Sequence, residues 1–257
     1  MHVKPLKKFG QNYLADKNII GKIAAEVNPL PGDNILEIGP GLGSLTEFLY
    51  GKSDNFTAVE IDTRVIDDLR SRFPNLNLIN DDFLKTDLAP IARAGKLKVA
   101  GNIPYNVTSP IIFKLIENNS LVSDAVLMVQ LEVAQRMNAQ MGIKDYGIFA
   151  VILKYFTEVT LCFKISRNVF FPRPNVDSAL VHLHFRQIDQ DKEFQKKFIQ
   201  VVKASFGNRR KTLKNSLSNS IFAGNDFSIS GIDLSKRAEQ LTVDDFMILT
   251  NTALQFK

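Results

Sequence analysis

The sequence predicts an α/β protein, a doubly wound and mostly parallel sheet followed by a small all-helical domain. Two observations carry this. Between Ile35 and Met141 short apolar or β-branched runs alternate with helical stretches, a pattern that implies parallel strands joined by right-handed crossovers. From Asp191 onward every plausible element is helical. A chain of 257 residues has room for one large α/β domain and a satellite, because domains cluster near about 100–150 residues and α/β folds run larger.

Asp16 is placed to cap a first helix, since Ile19, Ile20, Ile23, Ala24 and Val27 follow helical spacing and Pro29–Gly32 then stops it. Ile35–Ile38, Phe56–Ile61, Leu76–Ile79, Leu97–Ala100 and Ala125–Val129 read as strands, bounded by Gly, Asn, Asp or Pro. Helices are expected near Leu45–Leu49, Arg64–Arg72, Pro110–Glu117 and Glu132–Met141. Glu158–Ile165 and Ser178–Phe185 then suggest that the sheet finishes in an antiparallel pair. Phe194–Ser205, Lys211–Phe222 and Thr242–Leu254 supply the final helices. A boundary near Gln187–Asp191 divides a Rossmann-like domain, 1–187, from a helical domain, 188–257. No internal repeat or low-complexity tract is evident.

Composition narrows the function classes. Hydrophobic residues make up 45% and charged residues 23%, and no run of about 18 apolar residues suggests a membrane span. The first residues lack the apolar core of a secretory signal, and the single Cys162 excludes an internal disulfide, so a cytoplasmic protein is expected. The net charge of +5 is unevenly distributed. No Asp or Glu occurs between Phe194 and Asn225, a stretch holding Lys196, Lys197, Lys203, Arg209, Arg210, Lys211 and Lys214. Residues 1–15 are likewise acid-free and carry Lys4, Lys7 and Lys8. Such clusters suit polyphosphate, although a solvated helix face gives the same pattern.

Asn34–Ile38 runs into Gly39-Pro40-Gly41-Leu42-Gly43 and then a helix, and the next strand ends in Glu60. Glycines allow close backbone approach to a nucleotide-like ligand, and an acidic strand end can accept hydrogen bonds from ribose hydroxyls. A nicotinamide-binding protein would share that spacing, but Ser44 stands where its fingerprint requires Gly or Ala. Asp82, beyond the third strand, could accept from an adenine amine with Phe83 packed on the ring, or could simply cap a turn.

Asn102-Ile103-Pro104-Tyr105 follows the fourth strand at the carboxyl edge, where open α/β sheets bind ligands. This tetrapeptide suits an exocyclic adenine amine. Such a nitrogen is a poor nucleophile because its lone pair is delocalised into the ring. If the Asn102 side-chain oxygen and the Ile103 carbonyl each accept an N–H, they favour a pyramidal nitrogen with its lone pair aimed at the methyl group. Tyr105 offers an aromatic face to a base taken out of its stack, and Pro104 removes a competing donor. An Asn-containing turn with a core tyrosine is the bland alternative.

Taken with Lys8-Phe9-Gly10-Gln11-Asn12-Tyr13-Leu14, Glu37-Ile38-Gly39-Pro40-Gly41-Leu42-Gly43, Glu60-Ile61-Asp62, Gly101–Asn106 and Phe170-Phe171-Pro172-Arg173-Pro174-Asn175-Val176-Asp177-Ser178-Ala179, the chain resembles the bacterial small-subunit ribosomal RNA adenine dimethyltransferases associated with kasugamycin sensitivity. The resemblance implies a class I S-adenosylmethionine-dependent methyltransferase sheet. It also implies transfer of two methyl groups to each of two adjacent adenosines near the 3′ end of small-subunit rRNA, during ribosome biogenesis. Gln11, Asn12, Leu14, Gly39, Gly41, Glu60, Ile61, Asp82, Phe83 and Asn102 would then bind S-adenosylmethionine. Asn102, Ile103, Pro104, Tyr105 and Phe171 would surround the target adenine, with Tyr105 and Phe171 bracketing it. Lys7, Lys8, Arg209, Arg210, Lys211 and Lys214 would contact RNA. The expected partner is rRNA or an assembling small subunit, and the expected state is a monomer with no membrane and no metal.

His182 and His184, two apart on one strand face, have metal-ligand spacing, but with no Cys and no carboxylate pair near them in sequence a strand-surface or packing role is expected. Cys162 and Phe170 read as core filler. Three competing functions remain at this point: a large-subunit adenine methylase of the antibiotic-resistance type, a ribosome-assembly factor, and a nicotinamide oxidoreductase. Pro172–Ala179 and the last helical region favour the small-subunit assignment over the first.

Overall fold

A computed structural model of the chain describes residues 5–6, 10–208 and 210–256, and these fall into two compact units. The described residues within Met1–Ala134 and Val159–Arg186 form the first, and those within Gln135–Glu158 and Gln187–Lys257 form the second.

The strands in chain order are β1 (Tyr13–Leu14), β2 (Asn34–Ile38), β3 (Asn55–Glu60), β4 (Asn77–Asn80), β5 (Leu97–Asn102), β6 (Val122–Gln130), β7 (Thr157–Ile165), β8 (Phe170–Phe171) and β9 (Ser178–Phe185). Seven make one sheet in the order β4-β3-β2-β5-β6-β9-β7. β2, third of the seven, is buried along its whole length and parallel to β3 and β5 on either side, which explains why its apolar Ile35 and Leu36 follow one another instead of alternating with polar residues. β6 continues the parallel set beside β5, and β9 closes it antiparallel to β6, with Asp124 opposite His184 and Gln130 opposite Ser178. The strand order reverses between β2 and β5. That switch point opens a crevice at the carboxyl edge.

Helix α1 (Lys17–Val27) starts where Asp16 Oδ1 accepts from the Asn18 and Ile19 amides, at 2.9 and 3.1 Å. It ends at Asn28, whose left-handed φ of 46° lets its amide bond back to Ala24. Ile20, Ile23 and Val27 pack with Ile35, Leu49, Ala100 and Val126 in the core of this unit. The other helices of the unit, α2 (Thr46–Leu49), α3 (Ile66–Arg72) and α4 (Thr108–Glu117), follow β2, β3 and β5 in the expected places.

Helix α5 (Leu131–Met137) is shorter than expected, because Asn138 and the residues up to Gly142 turn instead of continuing it. The second unit holds α6 (Ile148–Phe156), α7 (Lys192–Ser205), α8 (Leu213–Ser218) and α9 (Val243–Leu254). Its core is aromatic: Tyr155 stacks on Phe198 at 4.2 Å, Phe206 on Phe246 at 5.9 Å, and the buried Tyr146 hydroxyl donates to the Leu241 carbonyl at 2.9 Å. Residues 135–158 pack in this unit, although the sequence places them with the sheet. α8 also stops short of Phe222, since the Asn219 and Ser220 side chains turn back onto the Asn215 and Leu217 carbonyls. None of the described helices is long and apolar enough to cross a membrane.

Candidate active site

A cavity of about 370 Å³ opens at the carboxyl edge of β2, β3 and β5, entirely within the first unit. Gln11, Asn12, Leu14, Gly39, Gly41, Glu60, Ile61, Asp82, Phe83, Asn102, Ile103, Pro104 and Tyr105 all line it. The fold therefore gathers in one cavity nearly every residue singled out for cofactor and adenine.

At one end of the cavity Glu60 closes β3. Its Oε2 accepts from the Gly41 amide at 2.9 Å and its Oε1 from the Asp62 amide at 2.8 Å, leaving each oxygen a further lone pair. Burial pushes this carboxyl above the ordinary range, against the pull of those two amides. Gly41 has φ of 56°, and a Cβ there would come within 3.1 Å of the Tyr13 ring, so the loop requires glycine both for conformation and for space. The Tyr13 hydroxyl is buried without a hydrogen-bond partner among the described residues, and burial, followed by the Asp62 and Glu60 charges, pushes it up to about 12.

Asp62 is held by Arg64, whose Nε reaches Oδ1 at 2.8 Å, and by Gln11, whose Nε2 reaches Oδ2 at 2.8 Å. Those bonds, the arginine's above all, hold its carboxyl down at about 2. The Gln11 amide is thus committed: its oxygen accepts from Leu6 N at 2.9 Å. Gln11 shapes the site by fixing Asp62. Glu37, buried on β2, accepts from Thr46 Oγ1 at 2.8 Å, and its desolvation drives the carboxyl up to about 8.

At the other end Asn102 terminates β5. Its Nδ2 donates to the Asn12 carbonyl at 2.8 Å. A carbonyl only accepts, so this bond decides which end of the amide is nitrogen and leaves Oδ1 available as an acceptor. Gly101, one residue earlier, cannot carry a side chain, because a Cβ there would sit 2.8 Å from the Ile38 carbonyl oxygen. Ile103 is buried, and after Pro104 the chain makes a short 3-10 turn, Tyr105–Val107, into α4. The Tyr105 hydroxyl bonds the buried Ser178 Oγ at 2.7 Å, which anchors the tip of the side chain.

Asp82 lines the cavity, and its Oδ1 also caps a turn by accepting from Leu84 N at 2.9 Å. Phe171 does not line the cavity. It stands on β8, paired with Tyr13 of β1, with 67% of its surface exposed. Arg210, Lys211 and Lys214 are exposed and belong to the second unit, just before and within α8. The other proposed RNA contacts, Lys7, Lys8 and Arg209, lie outside the described residues.

Tyr13, Glu37, Asp62 and Ser178 have site positions that no role was assigned to from sequence. Glu37 left a signal, an acid inside an otherwise apolar central strand. The absence of carboxylates near His182 does not survive folding: Glu26 Oε1 lies 2.7 Å from His182 Nδ1, and Asp124 Oδ1 lies 3.3 Å from Nε2.

The chain is 44% identical over 244 residues to the ribosomal RNA small subunit methyltransferase A of Prosthecochloris aestuarii, covering 95% of this chain and 92% of that one. The protein of the same name from Francisella tularensis subsp. novicida is 40% identical over 254 residues, covering 96% and 97%. Among solved structures, a dimethyladenosine transferase from Plasmodium falciparum superposes with a TM-score of 0.78 at 28% identity, covering 92% of this chain and 95% of that one. The 23S rRNA methyltransferase ErmE superposes at 0.69 with 26% identity, covering 95% and 100%. Both likenesses assign the seven-stranded sheet to the class I methyltransferase fold. With the ribosomal RNA adenine dimethylase family model matching residues 3–255, and an acceptor-bearing asparagine at the strand end where that chemistry needs it, the chain belongs to the ribosomal RNA adenine dimethylases.

Proposed function

We propose that this member of the family transfers methyl groups from S-adenosylmethionine to the N6 amines of two adjacent adenosines near the 3′ end of small-subunit rRNA. It does so as a cytoplasmic monomer during ribosome assembly. The observation that carries this is the Asn102 amide at the cavity wall, whose nitrogen is occupied by the Asn12 carbonyl, so that its oxygen is left as the acceptor for an amine.

The cavity suits the cofactor. Glu60, already oriented by two backbone amides, has lone pairs left for ribose hydroxyls, Asp82 and Phe83 form an edge for the adenine, and the orphaned Tyr13 hydroxyl supplies a donor that a polar ligand would satisfy. When bound, S-adenosylmethionine supplies a methyl group on a positively charged sulfur, an electrophile that needs no metal. Asn102 Oδ1 and the Ile103 carbonyl then accept the two N–H groups of the target amine and orient its lone pair. No strong base is needed, because the nitrogen becomes acidic only after alkylation. Tyr105, its hydroxyl anchored on Ser178, stacks on the flipped base, and the exposed Phe171 closes from the rim. The second transfer is the more demanding, since one N–H then serves two acceptors and the pocket must admit a methyl group.

Arg210, Lys211 and Lys214, with Lys7, Lys8 and Arg209, hold the phosphate backbone. Isotopically labelled S-adenosylmethionine incubated with unmethylated small subunits and, in parallel, with unmethylated large subunits, followed by nucleoside mass spectrometry, tests the whole proposal. It predicts labelled N6,N6-dimethyladenosine. Label restricted to large-subunit RNA would transfer the assignment to the resistance-type methylases, and an unlabelled nucleoside pool would end it.

A further inference from the structure

We propose that Asp124, His182 and His184 form a binding site for a divalent transition-metal ion of the zinc, nickel and copper class, at the sheet edge opposite the cavity. His182 and His184 are two apart on β9 and therefore share a face of the sheet, while Asp124 on β6 is the register partner of His184. Asp124 Oδ1 lies 3.3 Å from His182 Nε2 and 3.4 Å from His184 Nδ1, and one donor atom from each of the three residues falls within 4.8 Å of the others. An ion bonded at about 2.0–2.1 Å in tetrahedral geometry sets its ligands about 3.3 Å apart. The carboxylate is already at that separation from both rings.

The outer layer of the site is also present. Glu26 on α1 lies 2.7 Å from His182 Nδ1, a carboxylate–imidazole pair in which the carboxylate can accept the Nδ1 proton and leave Nε2, the nitrogen facing Asp124, to bind an ion. Lys98, the nearby cation, is bound to Asp33 at 2.7 Å.

A purely structural ion link between α1 and the sheet would need only Glu26, His182 and Asp124. His184 adds nothing to that link, yet it aims Nδ1 at the same carboxylate oxygen, with its ring 3.7 Å from that of His182. Its side chain is 48% exposed, which gives an ion a path in and leaves positions for water. Two imidazoles and one carboxylate favour borderline ions over Mg²⁺ or Ca²⁺. Along β5 the register runs from Lys98, opposite Asp124, to Asn102, opposite Met128, a displacement of about 13 Å at about 3.3 Å per residue. Such an ion would stabilise the sheet and its link to α1 without touching the transferred methyl group.

The test uses untagged chain. Titration with Zn²⁺ should show one saturable equivalent, Cu²⁺ should give an electron paramagnetic resonance spectrum with two nitrogen ligands, and Mg²⁺ should not compete. His184→Ala should abolish stoichiometric binding, and Glu26→Gln should weaken it about 10- to 100-fold, both with methyl transfer retained. No saturable Zn²⁺ binding would overturn the proposal. So would affinity that is unchanged in His184→Ala, or a copper spectrum with fewer than two nitrogens.

Discussion

Glu60 and Glu37, both buried at the ends of neighbouring strands, separate two roles that acids play in one cavity. Glu60 carries two backbone donors and retains lone pairs for a ligand, so Glu60→Ala should weaken S-adenosylmethionine binding before it slows the chemical step, an unchanged dissociation constant by calorimetry being the contrary result. Glu37 is a stability group. Its pKa rises from 4.5 to about 8 on folding, so the folded chain keeps a proton that the unfolded chain releases between those values. Stability must then fall as pH rises through this window and level off above it. Glu37→Gln preserves an oxygen for Thr46 Oγ1 but cannot ionise, so its melting temperature should gain on that of the wild type from about pH 5 to about pH 9, and a constant difference would show that Glu37 is ionised throughout.

At the scale of elements, Asp16 makes the clearest claim, because it alone accepts from two amides at the start of α1, the helix that contributes Ile20 and Ile23 to the cavity wall. Asp16→Ala should cost about 0.5–2 kcal/mol, read from the denaturant midpoint. β2, β3, β5 and β6 were legible as runs bounded by turn residues because a strand buried on both faces carries consecutive apolar residues instead of alternating ones. β1 and β8, two residues each, are too short to carry any period, although their pairing sets Tyr13 opposite Phe171. α6 was missed for a different reason: Ala150–Leu153, Tyr155 and Phe156 are all buried, so no polar face marks a helical repeat. The cavity's glycines, Glu60, Asp82 and Asn102 were legible as motifs at strand ends. The partners that aim them, Asn12 for Asn102, Ser178 for Tyr105 and Gln11 for Asp62, come from distant parts of the chain and are chosen only by folding.

On the scale of the whole molecule, chemistry and charge are divided. The cavity lies within the first unit, while Arg210, Lys211 and Lys214 stand exposed in the second, in a stretch without acids. Changing all three to Ala should weaken substrate RNA binding and flatten its logarithmic salt dependence by about 0.7–0.9 per lost phosphate contact, with S-adenosylmethionine affinity unaltered. Equal slopes for variant and wild type would move RNA docking elsewhere. The same division allows catalysis to be isolated from binding. Asn102→Ala removes the acceptor proposed to hold the reacting amine, and single-turnover methylation of unmethylated small subunits, run beside a cofactor titration, measures the two effects separately. The account predicts a rate about 100- to 1,000-fold lower with cofactor affinity largely retained. A near-normal rate, or a loss explained wholly by weaker cofactor binding, would contradict it.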